Sequence, residues 1–124
     1  MNENTTLLRQ VHPCFVQNGQ MTSQAFMPFP KDKARLSVYD GDIISANDAY
    51  YHYTETLNNE AEGTWGVTCA EVDKIELKSA PEPLPEFLSH AVIDFSGKTS
   101  NVCRKLAKRL KMFAVARGCL HPHG

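Results

Sequence analysis

In the stretch "HPC", His12 and Cys14 stand two residues apart around Pro13. A thiol and an imidazole at that spacing can act as nucleophile and base, or as two ligands of a metal ion. They can equally be parts of the turn that the proline imposes, and the sequence alone leaves the three roles open. A small enzyme built from this chain has to gather His12, Ser23, Tyr39 and His90 from different strands into one polar cleft, as in a nucleotide-handling, ADP-ribosyltransferase-like site. His90 and Asp94 lie on one side of a strand, but four residues at about 3.3 Å rise separate them by roughly 13 Å, beyond the reach of a catalytic pair. Cys119, His121 and His123 are metal-capable types, yet Pro122 sits among them and the segment reads as a tail. No Walker sequence, GxGxxG, GxSxG elbow or zinc-finger spacing occurs, so neither a cofactor nor a metal ion is expected.

The second chemistry is electrostatic. "CRKLAKRLKMFAVARG", residues 103–118, carries six basic side chains and no acidic one, in a chain whose formal net charge is −1. Residues 1–97 hold all fourteen acidic groups and only six basic ones, so the remaining seven basic groups make a basic tail on an acidic body. On a helical wheel Val102, Cys103, Leu106, Ala107, Leu110, Phe113 and Ala114 fall in one arc, which packs on a sheet. Arg104, Lys105, Lys108, Arg109 and Lys111 fill the rest, with Met112 and Val115 interrupting them. One reading of that outer arc is a solvated face whose cations suit the helix dipole. The other is a docking surface, favoured by the absence of interleaved Asp or Glu and by the exposed apolar pair. A protein with an acidic surface is the expected partner. Nucleic acid is the weaker candidate, because the acidic body repels phosphate and the sequence pI is about 6.5.

These residues must be positioned by short elements. "LLRQV" reads as a strand, and the Asn18-Gly19 turn joins "CFVQ" to "MTSQAFM" as a hairpin. "RLSVY" reads as the next strand. A helix over 46–57 starts at Ser45 and puts Ala46, Ala49, Tyr50, Tyr53 and Leu57 toward the core, leaving Asp48, Tyr51, His52 and Glu55 outside. "TWGVTCAEV" alternates as a half-buried strand, "KIELKS" repeats that pattern more weakly, the prolines of "APEPLPEF" make a connector, and "SHAVIDF" is a strand. The basic helix begins near Ser100 or Asn101 and stops at Gly118. The sum is a single α+β domain over 1–124: a largely antiparallel sheet of short strands, one middle helix and one C-terminal amphipathic basic helix. Residues 1–6 and 119–124 are expected to be flexible. With no signal-peptide pattern and no long apolar run, a cytoplasmic location, no membrane association and four reduced, buried thiols are expected.

The stretches "VHPCFVQNGQMTSQAFMPFPKD", "RLSVYDGD" and "HAVIDFSG" resemble a group of short bacterial proteins of unknown function, in which an HP, an NG turn, a TSxAFxP strand, an LSV strand and a His-Ala strand recur in that order. The resemblance spans roughly residues 10–97 and brings no activity. It implies a defence-associated accessory or toxin–antitoxin-like component.

Overall fold

The computed structural model describes residues 1–29 and 33–122. The central strand is β1 (Thr6–Val11), in which Leu7 and Val11 face one side of the sheet and Leu8 the other. It pairs along its whole length with β5 (Gly63–Thr68), from Thr6↔Thr68 to Val11↔Gly63. On its other edge it pairs with β4 (Arg35–Asp40), but only at Leu7↔Asp40 and Leu8↔Tyr39. Beyond β4 lie β7 (His90–Asp94) and the edge strand β6 (Lys78–Pro81), while β8 (His121–Pro122) closes the far side of β5. The order of the six-stranded antiparallel sheet is β6-β7-β4-β1-β5-β8. Pro81 has no amide hydrogen to donate, and its place at an edge is where a sheet tolerates it. A separate hairpin joins β2 (Val16–Gln17) to β3 (Gln20–Met21) through Asn18 and Gly19, whose φ values of 54° and 77° fit the tight turn that this dipeptide favours.

Among the described residues three α-helices complete the domain: α1 (Ala46–Tyr51), α2 (Cys69–Lys74) and α3 (Ser100–Arg117). The main core lies between α3 and one face of the sheet. Leu7, Val11, Leu36, Val38, Val67, Ala91, Ile93 and Phe95 meet Cys103, Ala107, Leu110 and Ala114 there. Ala25 and Phe26, from a 3-10 turn over Ser23–Phe26, fill the same layer. On the opposite face Leu8, Tyr39 and Ala49 form a smaller buried apolar cluster among the described residues, flanked by Ile44, Tyr53 and Phe87. The α+β class, the antiparallel sheet and the amphipathic C-terminal helix agree with the reading of the sequence.

Several local expectations are corrected. The strand expected to run through "TWGVTCAEV" ends at Thr68, whose hydroxyl accepts from the Glu71 amide while the Glu71 carboxylate accepts from the Thr68 amide. That reciprocal pair starts α2, because T-x-x-E satisfies two orphan donors at once. The middle helix does not continue in phase to Leu57. It widens into a π turn over His52–Thr56, which turns His52 inward and leaves Leu57 exposed. The hairpin strands are only two residues each, flanked by 3-10 turns at Pro13–Phe15 and Ser23–Phe26. The cap of α3 is Thr99, one residue earlier than Ser100, and Val102 at the start of the apolar arc is exposed.

Both segments expected to be flexible make hydrogen bonds to the rest of the domain among the described residues. Ala70 donates to the Glu3 carbonyl and Cys69 to the Thr5 carbonyl, and Thr5 is buried with its hydroxyl on Asp42. At the other end Leu120 donates to the Thr64 carbonyl and His121 pairs with Thr64. Gly66 makes room for this tail: a Cβ there would lie 2.8 Å from Leu120 Cδ1 and 2.6 Å from Thr6 Cγ2. Residues 123–124 of the expected flexible tail lie outside the described residues. Of the four thiols, Cys69 and Cys103 are buried, but Cys14 and Cys119 are exposed.

Candidate functional site

Two surfaces carry the residues singled out in the sequence. The first is the outer side of α3. Its inner stripe of Cys103, Ala107, Leu110 and Ala114 is spaced to fill the core, so the residues between them must project away from the sheet. Arg104, Lys105, Lys108 and Arg109 are exposed and Lys111 is half-buried. Arg104 donates to Asn101 Oδ1 at 2.7 Å. Among the described residues none of these five cations makes an ion pair, whereas Arg117, at the C-terminal end of the helix, grips Glu71 with both guanidinium nitrogens. Within this basic arc Met112 is 69% exposed and Val115 52%.

The second surface is the sheet face away from α3. Tyr39 on β4 stands opposite His90 on β7. The Tyr39 hydroxyl lies 2.8 Å from His52 Nδ1, and burial, with a smaller push from Tyr53, raises the phenol far above its ordinary range. Tyr39 therefore stays protonated and donates, so that His52 Nδ1 accepts. His90 Nδ1 is 2.9 Å from the Glu82 carbonyl, which can only accept. Nδ1 therefore carries a proton, and in the neutral ring Nε2 accepts from the Ser37 hydroxyl at 3.0 Å. The Phe87 ring contacts Tyr39, His52 and His90, with centroids 4.6, 4.7 and 4.9 Å away. Both imidazoles are thus held by fixed partners.

Next to this network β1 and β4 part company after Leu8↔Tyr39. Arg9 spans the gap, donating from Nε to the Ala25 carbonyl at 2.8 Å and from Nη1 to the Ser37 carbonyl at 2.9 Å. A cavity of about 180 Å³ opens there, lined by Arg9, Gln10, Ser37, Tyr39, Tyr53 and Phe87 among others. An outer cleft of about 450 Å³ shares Arg9, Ser37 and Tyr53 with it and adds His12, Cys14 and Arg35. Burial raises the Tyr53 phenol above its usual range, against the opposing pull of Arg9.

The four candidate catalytic residues do not converge. Tyr39 and His90 are neighbours. His12 belongs to the outer cleft, where its Nδ1 accepts from the Cys14 amide at 3.0 Å and so caps the Pro13–Phe15 turn. Of the three roles open to the His12 and Cys14 pair, the turn is the one this geometry fills. Ser23 opens the 3-10 turn whose Ala25 and Phe26 are buried in the core beneath α3, apart from the Tyr39 and His90 network. Among the described residues no three His, Cys, Asp or Glu side chains are grouped to hold a metal ion, and His123 lies outside those residues. No helix of the described residues is long and apolar enough to cross a membrane.

Sequence reasoning missed Gln10, Ser37, His52, Tyr53 and Phe87 as members of one site. The legible signal was Gln10, a polar residue on β1 on the side opposite Leu7 and Val11. The phase change at His52 and the parting of β1 from β4 had no local signature. No protein-family model matches the chain, and comparisons with characterised proteins and with solved structures return no match.

Proposed function

We propose that this chain is an accessory protein-binding module whose docking surface is the outer face of α3 and whose partner presents an acidic surface. The observation that carries the reading is the exposure of Met112 and Val115, one helical turn apart, amid five cations that make no ion pair with a described residue. An apolar centre rimmed by unpaired charge has the composition of an interface: the centre supplies the desolvated contact, and the rim supplies steering and register. A helix that only met water would gain by interleaving acids with its lysines and burying or replacing the methionine. An acidic protein suits this surface better than nucleic acid, because all fourteen acidic residues lie in the rest of the chain and repel a long polyanion. The resemblance to short bacterial proteins of unknown function is consistent with a component of a defence or toxin–antitoxin type assembly. The enzyme reading loses ground because His12 and Ser23 stand apart from Tyr39 and His90, and because both imidazoles of the network are already engaged.

The test compares the wild type with a variant in which Arg104, Lys108 and Lys111 are all changed to Glu, both used as bait in the native host. The expected result is one constant partner, identified by mass spectrometry and acidic on its contact surface, that is lost with the variant while the circular dichroism spectrum is unchanged. Changing Met112 and Val115 to Ser should weaken the same complex mainly through faster dissociation. Retention of every wild-type partner by the charge-reversed protein contradicts the proposal.

A further inference from the structure

On the face of the sheet away from α3 a second apolar surface is open to solvent. Ile43 is 61% exposed and Leu88 67%. They line one cleft of about 330 Å³ with Ile44, Pro85, Glu86 and Phe87, and with His52, whose Nδ1 is engaged by Tyr39. Ile44 and Phe87 also flank the buried cluster of Leu8, Tyr39 and Ala49, so the cleft rests on packed side chains. Large apolar side chains gathered at one exposed cleft are the mark of a contact surface. Its surroundings carry charge of one sign. No Lys or Arg occurs in residues 36–73 or 79–97, the two segments that build the cleft. Glu86 at the cleft, and Asp48 in the first turn of α1, four residues after Ile44, are exposed and make no ion pair with a described residue.

The outer face of α3 is the converse of this cleft: Met112 and Val115 are exposed amid five cations, and no acidic residue follows Asp94. We propose, building on the reading of α3 as a docking face, that its partner is a second copy of this chain. Met112 and Val115 of one copy enter the cleft edged by Ile43 and Leu88 of the next, and the cations around them face Glu86 and Asp48. Methionine, unbranched and flexible, suits an irregular apolar cleft. Carboxylates opposite cations steer the encounter and fix which surfaces meet, whereas either surface set against its own kind brings like charges together. The cleft and α3 lie on opposite faces of the sheet, so one chain cannot close the contact on itself. The contact is therefore head to tail: each copy offers both its helix and its cleft, and copies add in a row or close into a ring.

The test is sedimentation velocity on the full chain over a concentration series at low and high salt, with two variants. The helix variant changes Arg104, Lys108 and Lys111 to Glu; the cleft variant changes the exposed Ile43 and Leu88 to Ser, with Leu88→Ser alone as its substitute if the double change does not fold. The wild type is expected to gain mass with concentration, and less so at high salt. Each variant alone should self-associate about tenfold more weakly or worse, with an unchanged circular dichroism spectrum. An equimolar mixture of the two variants should form a heterodimer and nothing larger, because the helix variant keeps its cleft and the cleft variant keeps its helix. Absence of that heterodimer, or a wild-type oligomer that survives in both variants, overturns the proposal. A wild type that stays monomeric yet binds an Asp- and Glu-rich peptide through α3 overturns the second copy as partner and leaves α3 as a docking face. A monomeric wild type whose α3 ignores that peptide overturns both.

Discussion

Beneath α3 the sheet presents Leu7, Val11, Leu36, Val38, Val67, Ala91, Ile93 and Phe95, every one of them apolar and buried. On the other side the same strands present Gln10, Ser37, Tyr39 and His90 beside a buried apolar cluster of only three residues. The alternation of a β-strand makes both faces from one set of segments, so the contrast is written residue by residue along β1, β4 and β7. The first face gains mainly from non-directional burial, with Arg9 at its edge donating to the Ala25 carbonyl. The second is held by directed bonds, and a directed network leaves gaps: a cavity, an outer cleft and a Gln10 amide nitrogen with no hydrogen-bond partner among the described residues. α3 repeats the division on a smaller scale, with a closed inner stripe and an outer face of unpaired cations around exposed Met112 and Val115.

Truncation should separate the faces most clearly. Leu110→Ala, at a fully buried site under α3, is expected to destabilise the domain by about 3–5 kcal/mol, read by denaturant unfolding. A loss below about 1 kcal/mol would place the main core elsewhere. On the network face Tyr39→Phe keeps the ring against Phe87 and removes only the hydrogen bond to His52, which is half-buried and open to water. Its cost should be about 1 kcal/mol. Equal costs for the two substitutions would erase the distinction between packed and bonded faces.

Glu71 sharpens the comparison at the edge between α2 and α3. Partial burial pushes its carboxyl up, but hydrogen bonds from Arg117 and Thr68 outweigh that and hold it below its ordinary value near 4.5. The unfolded chain therefore binds this proton more readily than the folded one. The stabilisation is complete above about pH 4.5 and disappears as the pH falls through the lower folded value. Glu71→Gln should cost about 1 kcal/mol at pH 7, in the range of a lost helix cap, and should flatten the acid limb of the stability profile. An unchanged acid limb would show that the ion pair with Arg117 adds nothing. The smallest effect is expected at Lys108→Ala, within about 0.5 kcal/mol, because this side chain is exposed.

Periodicity made the first face legible: "LLRQV", "RLSVY" and "SHAVIDF" became β1, β4 and β7, and the apolar arc of residues 103–114 became the inner stripe of α3. Composition alone marked the outer face of that helix, since no acidic residue follows Asp94. The second face was obscured because its members are brought together by tertiary events. His52 joins Tyr39 only because the helix widens into a π turn, and Gln10 borders a cavity only because two strands cease to pair after Leu8 and Tyr39. The T-x-x-E of α2 was a readable signal, overridden in the sequence by the alternation of Trp65, Val67 and Cys69. At the polar ends the sequence shows a segment that can be solvated but not the backbone hydrogen bonds that join residues 3, 5 and 120 to Ala70, Cys69 and Thr64.

The most direct test of the outer face of α3 is a pair of titrations of the isotope-labelled chain, one with a peptide rich in Asp and Glu around a leucine, the other with single-stranded DNA of equal charge, each at two salt concentrations. The account predicts peptide-induced amide shifts at Arg104, Lys108, Lys111, Met112 and Val115, a binding constant that falls as salt rises, and weaker binding of the DNA. Shifts that avoid α3, or DNA that binds more tightly than the peptide, would contradict it.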